Sequence, residues 1–174
     1  MSEGVVLCRL CASVGPTCCQ GVLRDIYITK GDLERIAAYR GCDDFYEFRP
    51  PADPDYLDNS NDPVWQAAVF RIDGTRRVLK KNGADCLFLT ADGCTLPMHI
   101  RPLVCRLYPY DYDAAGLHEA FAAGCPVHLV PPNRTLGQCL QMAMPDILRW
   151  HQALYAELLM EQADAAITVR TLSV

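Results

Sequence analysis

The chain has 174 residues, an apolar fraction of 51% and a formal net charge of −5. That length suits one domain, and the composition excludes a disordered chain, which carries fewer apolar residues and less balanced charge. The acidic balance argues against general nucleic-acid or anionic-membrane binding, and no apolar run approaches the roughly 18–20 residues of a membrane-spanning helix.

The first nine residues, Met1-Ser2-Glu3-Gly4-Val5-Val6-Leu7-Cys8-Arg9, hold no basic region followed by a long apolar core. They do not read as a secretory leader, so a cytoplasmic location is expected. A cysteine-dense segment spans Cys8, Cys11, Cys18 and Cys19, with Gly15-Pro16 marking a turn inside it. Ile26-Tyr27-Ile28 reads as a short extended stretch. Thr29 then suits a helix N-cap, with Asp32 three residues on, Leu33, Ile36 and Ala37 on one face and Gly41 as the stop.

Residues 50–64 carry Pro50, Pro51, Pro54 and Pro63 among Asp and Asn, which predicts a surface loop. Val69 to Ile72, the turn dipeptide Asp73-Gly74 and Arg77 to Leu79 predict a β-hairpin. Arg76, Arg77, Lys80 and Lys81 make a basic cluster there, expected on a solvated face, with docking of an acidic partner as the sharper reading. A second hairpin is predicted from Cys86 to Thr90 and from Cys94 to Leu96, its turn bringing Cys86 towards Cys94. From Pro97 to Pro132 recurring Pro and Gly predict mostly turns with one short strand or helix.

The last third reads as helix: Leu136, Cys139, Leu140 and Ala143 keep helical spacing. After Pro145, Ile147, Leu148, His151, Leu154, Tyr155, Leu158 and Leu159 do the same. The expected fold is therefore α+β: a small, loop-rich, metal-stabilised domain with short β-hairpins. Residues 1–132 would form its cysteine-cluster part, and 133–174 a helical segment packed on the same domain.

Ten cysteines are the outlying number. In a reducing compartment such a count points to metal or redox chemistry rather than to disulfides. Eight of them, Cys8, Cys11, Cys18, Cys19, Cys86, Cys94, Cys105 and Cys125, stand beside turn residues, where backbone can curl and thiolates can converge on a metal. Cys18 and Cys19 are vicinal, and adjacent side chains in extended backbone point to opposite sides. They could split between two sites, or one could ligate while the other packs or serves redox chemistry. Eight thiolates fit two four-ligand sites by number, with the partition open.

Iron–sulfur ligation is the preferred reading of these unevenly spaced cysteines. Zinc usually uses two Cys-x-x-Cys knuckles where this chain has one, and reversible dithiol chemistry is the third possibility. Arg101 and Arg106 bracket Cys105 and are expected to donate to thiolates or cluster sulfides, the alternative being salt bridges to Asp85, Asp111 or Asp113. Tyr108 and Tyr110 would pack beside the site. Cys139 reads as a buried apolar residue, Cys42 as a spare thiol, and His99 as the one histidine with a claim to ligation.

Several blocks together carry a resemblance. They are Cys8-x-x-Cys11 with Cys18-Cys19, then Thr29, Asp32 and Arg35, then Asp85-Cys86-x-Phe88-Leu89 with Gly93-Cys94. Arg101-Pro102-x-x-Cys105-Arg106-x-Tyr108-Pro109-Tyr110 and Cys125-Pro126 complete the pattern. Residues 8 to about 126 thus resemble the zinc- or iron-chelating cysteine-cluster proteins (the CxxCxxCC family), whose domain also occurs in a flagellin lysine N-methylase. The resemblance implies a metal-binding accessory protein with a [4Fe-4S] cluster or zinc. Electron transfer, redox sensing or service as the metal-bearing subunit of a modification system would be its role, with a protein partner and neither nucleic acid nor membrane. The alternatives are a cluster-dependent enzyme of methylase or radical type and a structural zinc module that recruits a partner. The chain shows no Gly-rich phosphate loop, nucleophile elbow or His-Glu-x-x-His signature.

Overall fold

A computed structural model describes residues 11–13, 15–52, 61–122, 125 and 127–171, the last seven as backbone only. The architecture is α+β, four antiparallel two-stranded pairs and five helices longer than one turn among the described residues. Helix α1, Lys30–Arg40, follows from purely local chemistry. The Thr29 hydroxyl accepts from the Asp32 N–H while the Asp32 carboxylate accepts from the Thr29 N–H, and Gly41 ends the helix at φ 74°. The reciprocal pair satisfies two N–H groups that a helix start leaves open, and only glycine enters the left-handed region without steric cost.

Strand β1, Tyr46–Arg49, pairs antiparallel with β2, Arg76–Leu79, and Ile26-Tyr27-Ile28 runs along the other side of β2. The predicted Val69–Leu79 hairpin does not form. Its turn is present, with the Arg71 N–H donating to the Thr75 carbonyl at 2.8 Å, but the preceding residues belong to helix α2, Pro63–Val69. Asp62 caps that helix by accepting from the Trp65 N–H, and Pro63 sits at its first position, where no backbone donor is needed. β2 therefore takes its partner from upstream.

Two miniature hairpins follow. Lys81–Asn82 (β3) pairs with Asp85–Cys86 (β4), and Leu89–Thr90 (β5) with Gly93–Cys94 (β6). The described residues between 97 and 132 hold more regular structure than the predicted run of turns. They hold helix α3, Leu103–Leu107, the bulged pair of β7, Tyr110–Asp113, with β8, Gly116–Phe121, and a 3-10 turn at Val127–Leu129. Helices α4, Leu136–Leu140, and α5, Met144–Thr171, close the described chain. α5 buries Ile147, His151, Leu154, Tyr155 and Leu158, whereas Leu148 and Leu159, expected on that face, are exposed.

Two apolar clusters organise these elements. One joins Trp65 and Val69 of α2 to Leu103 and Leu107 of α3 and to Ile147, Leu154 and Leu158 of α5, with Cys139 buried inside it. The other gathers Ile28, Ile36, Phe45, Leu79, Cys86, Phe88 and Leu96. The basic cluster is not a solvated face. Arg76 is buried against Asp25, Lys81 reaches the same carboxylate at 3.1 Å, and Arg77 pairs with Glu161 of α5. A buried guanidinium must be paired, and Asp25, 51 residues upstream, supplies the charge. No helix among the described residues is long and apolar enough to cross a membrane.

Candidate functional site: a thiol-lined cavity

Seven of the eight candidate cysteines, Cys11, Cys18, Cys19, Cys86, Cys94, Cys105 and Cys125, line one cavity of about 80 Å³. Cys8 lies outside the described residues. Leu79, Phe88 and Leu96 of the second cluster and Leu140 of the first share its walls, so it sits at the seam between the two cores. None of the seven is in a disulfide.

Each cysteine is delivered by a separate device. The Cys86 N–H donates to the Cys19 carbonyl at 2.8 Å, and the Gly21 N–H to that of Ala84 at 3.0 Å. This lays residues 19–21 along the β3–β4 hairpin and sets Cys19 beside Cys86. The two-residue turn between β5 and β6 places Cys94 across from Leu89. Cys105 arrives on α3, whose N-cap is Pro102 and therefore offers no capping side chain. Its first N–H, that of Leu103, is instead satisfied at 3.0 Å by Asp32, a fully buried residue of α1.

Asp32 also takes Arg35 at 2.6 Å, and Arg35 reaches Glu157 of α5 at 2.5 Å. Desolvation pushes the Asp32 carboxyl up, against the opposing pull of Arg35. One carboxylate thus ties α1, α3 and α5 behind the thiols. Sequence reading gave Asp32 only its capping role, because the approach of Leu103 is tertiary.

Electrostatics divide the thiols. The charge of Cys19 raises the proton affinity of Cys11, Cys86, Cys94 and Cys105, and Cys86 and Cys94 add to the rise at Cys105. Burial pushes Cys86 up to about 12 and Cys105 well above the ordinary thiol value. Cys19 is the exception, lowered to about 7 by the hydrogen bond with Cys18, their sulfurs being 3.8 Å apart, with Arg101 assisting against desolvation. Cys18, Cys125 and Cys11 form a second set that acts on Tyr108, whose hydroxyl burial raises to about 12, and Cys11 also feels Cys19. The vicinal pair straddles the boundary, Cys19 acting on Cys86, Cys94 and Cys105 and Cys18 on Tyr108.

Arg101 lines the cavity, bonds to Cys94 and is anchored through its Nε to the Leu96 carbonyl at 2.9 Å. Arg106 lies behind Cys105. Its Nε donates to the Arg101 carbonyl at 2.7 Å, and its buried Nη2 meets no hydrogen-bond partner among the described residues. His99 and Cys42 are exposed and away from the cavity, the Cys42 thiol donating to Asp44.

Among the described residues, no group of three or more His, Cys, Asp or Glu side chains is closed around a single point as an ion requires. The thiols ring a space instead. About 80 Å³ compares with the roughly 10–15 Å³ that one water needs, so the ring encloses room for several atoms. A mononuclear zinc would need its sulfurs drawn in to about 2.3 Å of one centre, whereas a multi-atom cluster places its own atoms between them. The donor set is all sulfur with a guanidinium at its edge, which suits soft, anionic metal–thiolate chemistry.

Comparison with family models, with curated proteins and with solved structures finds no match to this chain.

Proposed function

We propose that this protein is a metal-binding accessory protein that holds an iron–sulfur cluster, or zinc, through its clustered cysteines. The observation carrying the reading is that thiols from five separate stretches of chain line one small cavity and remain unbridged. Cys19, Cys86, Cys94 and Cys105 would hold the group, with Arg101 offsetting its negative charge. Cys11, Cys18 and Cys125, with Cys8 added on sequence grounds, would form a second set. A bound cluster would supply one-electron chemistry, which suits electron transfer or redox sensing for a protein partner.

A cluster-dependent enzyme is the second reading. A larger cavity of about 570 Å³, within the range of small-molecule sites, adjoins the first and shares Cys18, Cys19, Cys105 and Tyr108 with it. The test of the ligand set is metal content per chain. Cys86→Ser, Cys94→Ser and Cys105→Ser should each lose metal, while Cys139→Ser should retain it. Full retention in the first three removes those residues from the site.

A further inference from the structure

The larger cavity carries its own chemistry, whatever the thiols hold. Its walls contain four carboxylates, Asp25, Asp62, Asp111 and Asp113, against two guanidiniums, Arg24 and Arg76. Asp25 is neutralised by Arg76 at 3.4 Å and Lys81 at 3.1 Å, and Asp111 and Asp113 flank His118 at 3.4 Å and 3.0 Å.

Asp62 is different. It is 6% exposed, and the donors that reach its carboxylate are neutral, the Trp65 N–H at 2.9 Å and the Tyr155 hydroxyl. Among the described residues no Lys or Arg pairs with it. A buried carboxylate without a cation is costly unless something positive shares its space. Trp65, Tyr108, Tyr110, Tyr112 and Tyr155 line the same cavity, and aromatic rings attract cations. The Trp65 indole N–H and the Tyr108 hydroxyl, both buried, make no hydrogen bond within the described residues.

We infer that this cavity binds a small organic cation, an ammonium compound that also carries a hydroxyl or carbonyl. Asp62 and the aromatic rings would hold the charge, and the oxygen would meet the Trp65 N–H or Tyr108. Arginine-like planar cations are less suited, since each Asp62 oxygen already accepts a hydrogen bond and the pair is not open to a fork of donors. Because Cys18, Cys19 and Cys105 share the wall, the ligand would lie against the thiol-lined cavity.

The test uses two probes of nearly equal shape, choline and its neutral analogue 3,3-dimethylbutan-1-ol, titrated into the full chain. The indole N–H signals of Trp65 and Trp150 are followed by NMR, Trp150 lying outside the cavity lining. Choline should shift the Trp65 signal saturably and leave Trp150 unmoved, with the neutral alcohol at least about tenfold weaker. Asp62→Asn keeps the helix cap, since Asn serves as well as Asp at that position, and should weaken choline by about tenfold while hardly changing the alcohol. Equal binding of the two probes, no response to either, or choline binding unchanged in Asp62→Asn overturns the inference. The comparison on the unaltered chain stands even should the variant misfold. Because it is read without reference to metal content, its failure leaves the metal reading where it was.

Discussion

Removing the Asp32 carboxylate tests how the thiol cavity is held together. In Asp32→Ala two backbone donors, the Thr29 N–H and the Leu103 N–H, lose their acceptor in a fully buried place, and Arg35 Nη2 is left with Glu157 alone at 3.1 Å. Each orphaned neutral donor costs about 1–3 kcal/mol, and breaking a buried ion pair from one side costs about 3–5 kcal/mol. Arg35 keeps Glu157 and is one-third exposed, so its share is discounted, and the sum is about 3–5 kcal/mol. That is a large part of the roughly 5–15 kcal/mol that holds a domain folded. Asp32→Asn should cost less, because one oxygen can still serve Arg35 and Leu103 while its amide faces the Thr29 N–H donor to donor. Urea unfolding of the metal-free protein should show a lower midpoint with an unchanged slope, the alanine variant lower than the asparagine one. Since α3 carries Cys105, alkylation of that thiol should also speed up. A midpoint corresponding to less than about 1 kcal/mol of loss, with Cys105 still protected, would refute the account of Asp32 as the tie between α1 and α3.

Asp25→Ala removes the buried carboxylate that Arg76 and Lys81 share and should destabilise by about 3–5 kcal/mol in thermal or urea unfolding, whereas Asp44→Ala on the surface should cost almost nothing. In metal-free protein at neutral pH, iodoacetamide should label the exposed Cys42 and the acidic Cys19 before Cys86 and Cys105, as peptide mapping would read. Stability of the metal-free protein should fall as pH climbs from about 9 towards about 12. Over that window an unfolded Cys86 would release its proton while the folded one keeps it, so alkali pulls the equilibrium towards the unfolded chain. A flat melting temperature across the window would contradict the burial of Cys86. Stripping metal with a strong chelator should lower the melting temperature by many degrees, and unchanged melting despite measured metal loss would show that folding does not depend on it.

Features settled within a few residues were legible in the sequence. Thr29, Asp32 and Gly41 bound α1 because a capping box and a left-handed stop act locally, and the β5–β6 turn is equally local. The segment from Val69 to Ile72 misled because its apolar run says nothing about Asp62-Pro63, which starts a helix just upstream and commits Val69 to it. β1 leaves no signal of its own, since the sequence pairs Arg77 to Leu79 with Val69 to Ile72 in a hairpin that does not form. Leu148 and Leu159 fit the helical period but fall on the far side of a long helix that packs along one stripe. Arg76 and Lys81 read as surface charge because their partner Asp25 lies 51 residues upstream of Arg76 and farther still from Lys81.

At the candidate site, residue types and turn context drew out the eight cysteines, seven of which face a shared cavity. Their grouping was not legible. It follows from the strip at Cys19 lying along Ala84 to Cys86, and from Asp32 receiving Leu103, both of which are tertiary contacts. The larger cavity left no motif at all, because its aromatic rings and carboxylates come from four distant segments.

The central claim is that these thiols grip an inorganic group, and the most direct measurement is the absorption spectrum and metal content of protein purified without oxygen. A brown preparation with broad absorbance near about 400 nm, bleached by dithionite and carrying iron and sulfide in equal amounts, is the result expected for a cluster. Colourless protein with stoichiometric zinc would keep the thiol site and replace its occupant. Colourless protein free of every metal, with all its thiols titratable, would contradict the claim.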